Sequence, residues 1–150
     1  MKNNFTKINI GLCLFITSVF TDVIAQKPVN VLFIGNSFTY YADLPGQFKS
    51  LSQVAGKTVV VDSDANAGQY FTGTNGHSTS ATTYAKIHSK PWDYVVLQDN
   101  QGAFFGYVNM VSSTTLAANI RVRDSVRAIH PCARVIWFAG WGYKGGIPAQ

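Results

Sequence analysis

The stretch that decides the fold is VLFIGNSFTYYADLP, residues 31 to 45. It begins with four apolar residues and then breaks into Gly35-Asn36-Ser37-Phe38-Thr39. A continuous apolar run of this kind predicts a strand that is buried on both faces, as strands of parallel sheets are. The small polar residues after it predict a turn toward a helix. Ser37 in that turn is either a helix cap or a nucleophile, and spacing alone leaves both interpretations open.

Short apolar, β-branched runs alternate with helical patterns along the rest of the chain. The predicted strands are residues 29–34, 58–61, 94–97 and 134–138, and the predicted helices are residues 44–54, 80–88 and 114–129. This β-α-β-α-β-α-β order predicts a three-layer α/β/α fold with a flavodoxin-like, doubly wound parallel sheet. No strand or helix pattern follows the fourth strand, so we expect the sheet to be C-terminally incomplete.

The helical patterns also predict which side chains face the core. In the first helix the expected inner stripe is Leu44, Phe48, Leu51 and Val54, and in the third it is Leu116, Ile120, Val122 and Val126. Gly56 is well placed to end the first helix, and Pro131 to stop the third. Cys132, beside the fourth strand, is expected to be a small buried residue.

The first 25 residues have the pattern of an export signal. Lys2 and Lys7 precede an apolar stretch at residues 8–20, and a plausible cleavage point lies ahead of Gln26. The apolar stretch is short for a membrane span, which needs roughly 20 residues. We therefore expect a signal peptide at 1–25, one domain at 26–150, a secreted or periplasmic location, and no stable membrane association after cleavage.

The charge of the chain gives little reason to expect a nucleic-acid partner. The formal charge is +5 for the whole sequence and falls to +4 when Lys2, Lys7 and Asp22 leave with the signal. The one basic group, Arg121, Arg123 and Arg127, has the spacing of a solvent-facing helix surface.

The predicted topology collects polar residues at one edge of the sheet. In doubly wound folds the ligand site lies outside the carboxyl ends of the strands. The residues that follow strands one to three are Asn36, Ser37 and Thr39, then Asp62, Asp64, Asn66, Gly68 and His77, then Gln98, Asp99, Asn100 and Gln101. His88 and His130 precede strands and fall on the opposite edge, where we expect structural roles.

Metal and nucleotide chemistry are weakly indicated. Asp62, Asp64 and Asp99 could form a metal cluster, but carboxylates after strands are more often turn residues. No Gly-x-x-x-x-Gly-Lys phosphate loop occurs in the sequence. We therefore expect neither a metal nor a cofactor.

At these residues the chain resembles the SGNH hydrolases, the GDSL-type esterases and lipases. Gly35-Asn36-Ser37 is similar to the family's first motif, and Asn66-Ala67-Gly68-Gln69 is similar to the glycine segment after strand two. The third motif supplies an asparagine after strand three. Asn100 is its best match here, and Gln98 is a competing candidate.

The resemblance implies that Ser37 attacks an ester carbonyl. The amides of Ser37 and Gly68, with the Asn100 side chain, would then form the oxyanion hole. The family's base lies in an Asp-x-x-His segment, and the sequence contains none. His77 could serve instead, oriented by Asp99 or Asp64, although its Gly-His-Ser context favours an exposed loop residue.

Two functions of different classes remain open. One is an exported ester hydrolase acting on a small-molecule or carbohydrate ester. The other is a non-catalytic flavodoxin-like module that binds a carbohydrate or other small ligand at the same edge. Many aromatic residues near that edge either cover the rim of the core or offer a sugar-stacking platform: Tyr40, Tyr41, Tyr70, Phe71, Phe104, Phe105, Tyr107, Trp141 and Tyr143.

Overall fold

The computed structural model describes residues 27–99 and 113–140. The elements in chain order are β1 (Val29–Gly35), α1 (Ser37–Tyr40), α2 (Leu44–Val54), β2 (Val59–Ala65), α3 (Ala81–His88), β3 (Tyr94–Leu97), α4 (Ser113–Ile129) and β4 (Arg134–Trp137). The predicted signal peptide, Asn100, and the aromatic residues at 104, 105, 107, 141 and 143 lie outside the described residues.

Four parallel strands form one sheet in the order β2-β1-β3-β4. The chain moves from β1 outward to β2, then crosses β1 to reach β3 and β4. With right-handed crossovers this reversal places α2 on one face of the sheet and α3 and α4 on the other. The predicted α/β class and flavodoxin-like strand order are confirmed.

The two faces of β1 differ in how they are covered. Leu32 and Ile34 belong to the main core cluster, with Ile87 of α3 and Val122 and Val126 of α4. On the other face, Phe33 packs edge-on against Phe48 of α2, with ring centroids 5.8 Å apart. A strand enclosed on both sides explains the continuous apolar run at residues 31–34.

Local signals define the helix ends. Asp43 caps α2 by accepting a hydrogen bond from the Gly46 amide, and it adopts a left-handed φ of 49°. Gly56, with φ 70°, follows the end of α2, as expected for a glycine that terminates a helix. Ser80 caps α3 by accepting from the Thr83 amide.

The predicted inner stripes of α2 and α4 are partly wrong. Leu51 is 69% exposed and Val54 is 88% exposed, so these two side chains at the end of α2 do not join the core. Leu116 is also exposed, and the buried face of α4 instead carries Ala118 and Asn119 together with the predicted Val122 and Val126.

Cys132 corrects another prediction, because it is exposed and not buried. It lies in the turn between α4 and β4, ahead of the strand that would have buried it. Among residues 27–99 and 113–140, no helix combines the length and apolar character that crossing a membrane requires.

Candidate functional site

The turn after β1 presents Ser37 at the carboxyl edge of the sheet. Asn36 is fully buried, and its side-chain oxygen accepts a hydrogen bond from the Phe38 amide at 3.2 Å. Asn36, not Ser37, is therefore the residue that caps α1. Ser37 is half-buried, and its hydroxyl makes no hydrogen bond with any described residue. The helix-cap interpretation of Ser37 is thus excluded.

Gln98 fixes this turn from the neighbouring strand. Its side-chain oxygen accepts from the Asn36 amide at 3.0 Å and from the Thr39 hydroxyl at 2.9 Å. Its side-chain nitrogen donates to the carbonyl of Asp99. Because Gln98 is 1% exposed and both ends of its amide are engaged, the geometry favours a positioning role over donation to a substrate oxyanion.

Gly35 is required by the same close packing. A Cβ atom built on Gly35 would overlap the Thr39 hydroxyl oxygen and lie 2.7 Å from the side-chain oxygen of Gln98. Any side chain at this position would displace the pair that holds the turn. The glycine that ends β1 therefore lets Gln98 and Thr39 meet directly beside Ser37.

The loop after β2 lies beside the Ser37 turn. The Asn36 side-chain nitrogen donates to the Gln69 carbonyl at 3.0 Å, which joins the two loops. Gly68 has a φ of 63°, and open space surrounds the position that a Cβ would take. The predicted oxyanion residues Ser37 and Gly68 thus lie on adjoining loops, whereas Asn100, the third, is outside the described residues.

His77 is fully buried, so the prediction of an exposed loop residue is wrong. Its Nε2 lies 2.8 Å from the Gly35 carbonyl oxygen, and its Nδ1 lies 2.9 Å from the Thr83 hydroxyl. The Thr83 hydroxyl in turn donates to Asp64 at 2.6 Å. The Nδ1 of His77 is also 3.4 Å from the same Asp64 oxygen.

Hydrogen bonds in this cluster fix the position of the His77 ring and favour an ionised Asp64. Burial opposes ionisation of Asp64, but hydrogen bonds from His77 and Thr83 outweigh it and hold the Asp64 pKa below its usual range. The Gly35 carbonyl can only accept, so the Nε2 of His77 donates to it. His77 is therefore a buried ring that is held by Gly35 on one side and by Thr83 and Asp64 on the other.

His77 is not placed to take the proton of Ser37. Its two ring nitrogens contact Thr83 and Gly35, and neither contacts Ser37. The other two histidines are no better placed, because His88 contacts the Tyr84 carbonyl and His130 contacts the Ile87 carbonyl. These contacts agree with the structural roles predicted for His88 and His130.

Asp99 does not orient His77. One carboxylate oxygen accepts from the Phe71 amide at 3.1 Å, and the other accepts from the Asn119 side chain at 2.8 Å. Asp99 thereby ties the loop before α3 to α4. Asp62 pairs with Lys86 at 2.7 Å, and residues 27–99 and 113–140 contain no metal-binding group of three or more ligands.

Sequence reasoning missed Thr83 and Asn119 as members of this edge. Both are buried polar residues whose partners lie on other elements. The only local signal is a polar residue on a face that is otherwise apolar, as with Thr83 four residues before the buried Ile87.

Two depressions lie in this region, and their linings differ. One is a cavity of about 340 Å³ that Ser37 borders together with mainly apolar side chains. The other is a groove of about 410 Å³ along the loop after β2, which Asn66, Gly68, Gln69, Thr72 and Asn75 help to line. The Asn36–Gln69 hydrogen bond joins the two loops that border these depressions.

Comparison with solved structures finds a similar fold. A protein from Slackia heliotrinireducens described as a putative SGNH hydrolase superposes with a TM-score of 0.52 and 21% sequence identity. The match covers 78% of this chain and 59% of that protein, so the chain spans about three-fifths of its length. No protein-family model and no curated protein matches the sequence. At this identity the likeness establishes the fold.

Proposed function

We propose that this chain is a hydrolase of the SGNH type that cleaves carboxylic esters through Ser37. The observation that carries the proposal is the Ser37 turn itself. The hydroxyl has no partner among the described residues, while every group that holds the turn is fully engaged. The SGNH-like motif sequence and the fold of the Slackia protein support the same assignment.

In the proposed reaction the Ser37 oxygen forms a bond to the ester carbonyl carbon as its proton passes to a base. The tetrahedral oxyanion would be stabilised by the amides of Ser37 and Gly68 and by the Asn100 side chain. The carbon–oxygen bond to the alcohol then breaks, and the alcohol leaves with a proton. Water cleaves the acyl-enzyme, which releases the carboxylic acid and restores Ser37.

None of the three histidines is placed to act as the base in this reaction. The ring nitrogens of His77 contact Gly35 and Thr83, and His88 and His130 lie at the other edge. Removing the base of a serine triad typically lowers the rate by a factor on the order of 10⁴ to 10⁶. We therefore propose that the 150-residue chain hydrolyses esters slowly and that an added base accelerates it.

Acylated carbohydrate is the proposed substrate class, and export the proposed destination. The groove beside Gly68 has neutral amide and hydroxyl groups, which suit hydroxyl-rich ligands, and exposed Tyr70 lies along it. The signal-like first 25 residues support an extracytoplasmic site of action.

The test is hydrolysis of 4-nitrophenyl acetate by the chain with increasing imidazole. We expect an imidazole-dependent rate in the original chain that is lost in Ser37→Ala and kept in Ser50→Ala, a matched change on exposed α2. Because imidazole itself cleaves this ester, the Ser37→Ala rate is the baseline to subtract. Equal rates for the original chain and Ser37→Ala at all imidazole concentrations would exclude Ser37 as the nucleophile.

A second candidate is the non-catalytic carbohydrate-binding module. The neutral, amide-rich groove favours it, because that groove is complete without a base. It predicts that oligosaccharide binding, measured by calorimetry, is the same in the original chain and in Ser37→Ala, and that neither hydrolyses esters with imidazole. Ser37-dependent hydrolysis would reject this alternative.

A further inference from the structure

We propose that the cavity beside Ser37 binds the acyl group of a neutral ester, preferring an apolar chain of several carbons to acetyl, while a hydroxyl-rich alcohol lies along the polar groove. This inference rests on the proposed function and adds the orientation and chemical class of the substrate. The contrast between the linings of the two depressions, on loops that the Asn36–Gln69 hydrogen bond joins, carries it.

The described wall of the cavity is mainly apolar beside Ser37. Its other main contributors are Phe38, Tyr41, Ala42, Leu44 and Phe138. Gln47 also borders the cavity, but its side-chain nitrogen already donates to the Ala42 carbonyl. Among residues 27–99 and 113–140, no Asp, Lys, Arg or His borders the cavity, so a charged acyl group would lose its hydration without gaining a partner from them.

Two separate constraints form the walls of this cavity. Asp43 caps α2 from a left-handed conformation, which sets the path of the segment that carries Tyr41 and Ala42. On the far side, Phe138 continues the β4 ladder, since its amide donates to the Leu97 carbonyl at 2.9 Å. The cavity is therefore built between the Ser37 turn and the end of the sheet before any ligand binds.

The groove has the opposite chemistry. Asn66 donates to the Gln69 side chain at 2.8 Å, and Gln69 donates to the Asn75 carbonyl at 2.9 Å. This network presents neutral amides along the loop, and the described residues that border the groove carry no charge. Sugar hydroxyls can exchange hydrogen bonds with such groups, whereas an alkyl chain placed there would displace water from them.

The orientation predicts how acyl length affects the rate. Each methylene that enters an apolar site contributes about a fourfold gain in kcat/KM. With imidazole as base, and with the Ser37→Ala rate subtracted, we expect 4-nitrophenyl hexanoate to be hydrolysed with at least tenfold higher kcat/KM than the acetate. Ala42→Leu, which fills the cavity, should lower this ratio about tenfold, because one or two carbons in a pocket change discrimination by that order.

Ala85→Leu is the matched control, because Ala85 is exposed on α3 and borders neither depression. It should leave the hexanoate-to-acetate ratio within twofold. For the alcohol side, Ala67→Leu should slow hydrolysis of a glucose hexanoate ester relative to methyl hexanoate, because Ala67 borders the groove. If Ala67→Leu changed the acyl-length ratio and Ala42→Leu did not, the proposed orientation would be overturned.

A binding experiment separates this inference from the proposed reaction. Titration of the labelled chain with hexanamide, a neutral acyl mimic, should shift the amide NMR signals of Phe38, Tyr41 and Leu44, and Ala42→Leu should abolish those shifts. Shifts confined to the groove, or none at hexanamide concentrations up to its solubility, would overturn the cavity assignment. Hexanamide binding in the cavity without Ser37-dependent hydrolysis would reject the proposed reaction alone.

Discussion

Two polar clusters meet at Gly35, and they use their hydrogen bonds in opposite ways. The Ser37 turn begins where Gly35 ends β1, and it leaves one hydroxyl unbonded among the described residues. The His77–Thr83–Asp64 cluster bonds to the Gly35 carbonyl from the other side and leaves none of its facing groups unbonded. A histidine and a carboxylate near a serine do not form a catalytic triad when their hydrogen bonds go to other structural groups.

The Ser37 turn has the group that can react, and the His77–Thr83–Asp64 cluster supports the structure around it. Support here means that the fully buried His77 ring contacts the Gly35 carbonyl through one nitrogen and Thr83, which is bonded to Asp64, through the other. Gln98 supports the same turn from the opposite direction through two accepted hydrogen bonds. These roles can be separated by removing one group at a time.

Replacing His77 should have the largest effect. His77→Ala removes the hydrogen-bond partner of the buried Gly35 carbonyl, at a cost of about 1–3 kcal/mol of unfolding free energy, and it also leaves a cavity where the buried ring packs against Phe71. Urea denaturation measures the change. His88→Ala is the matched control, since exposed His88 makes only one hydrogen bond to a backbone carbonyl, and it should change stability by less than about 1 kcal/mol. Equal effects of the two variants would contradict the supporting role of His77.

Replacing Gln98 should have an intermediate effect. Gln98→Ala leaves the Asn36 amide and the Thr39 hydroxyl without their acceptor, at a cost of about 1–3 kcal/mol in unfolding free energy for each buried group left unpaired. It should also slow the imidazole-dependent hydrolysis, because Ser37 loses its fixed position. Thr39→Val removes only one of the two donors and should cost about 1 kcal/mol. A Gln98→Ala variant with unchanged stability and activity would remove Gln98 from the support of the turn.

Acidification should have the smallest effect, and its sign follows from Asp64. Because the folded-state pKa of Asp64 is lowered, the unfolded chain binds more protons as pH falls through the ordinary aspartate range near 4. Unfolding free energy should therefore be fully retained above that range and decline below it. Asp64→Asn should flatten this decline more than Asp43→Asn does, as followed by urea denaturation at each pH. Identical pH profiles for the two variants would contradict the ionised Asp64.

The sequence predicted the elements well where the signals are local. Residues 44–54 were predicted as a helix and are one, because Asp43 caps its start and Gly56 follows its end. The strand at residues 94–97 likewise has its predicted limits. Burial was predicted less well, as Leu51 and Cys132 show, because exposure depends on whether another layer covers the residue and periodicity carries no such information.

The sequence by itself determined the order of strands and helices, the turn at Gly35, and the position of Ser37 at the ligand edge of a parallel sheet. Only the tertiary structure decided what His77 does. The partners of His77 are Gly35, 42 residues before it, and Thr83 and Asp64 on two other elements. Its role depends on which of these groups it contacts, and hydrogen bonds between separate elements exist only once the elements have packed together.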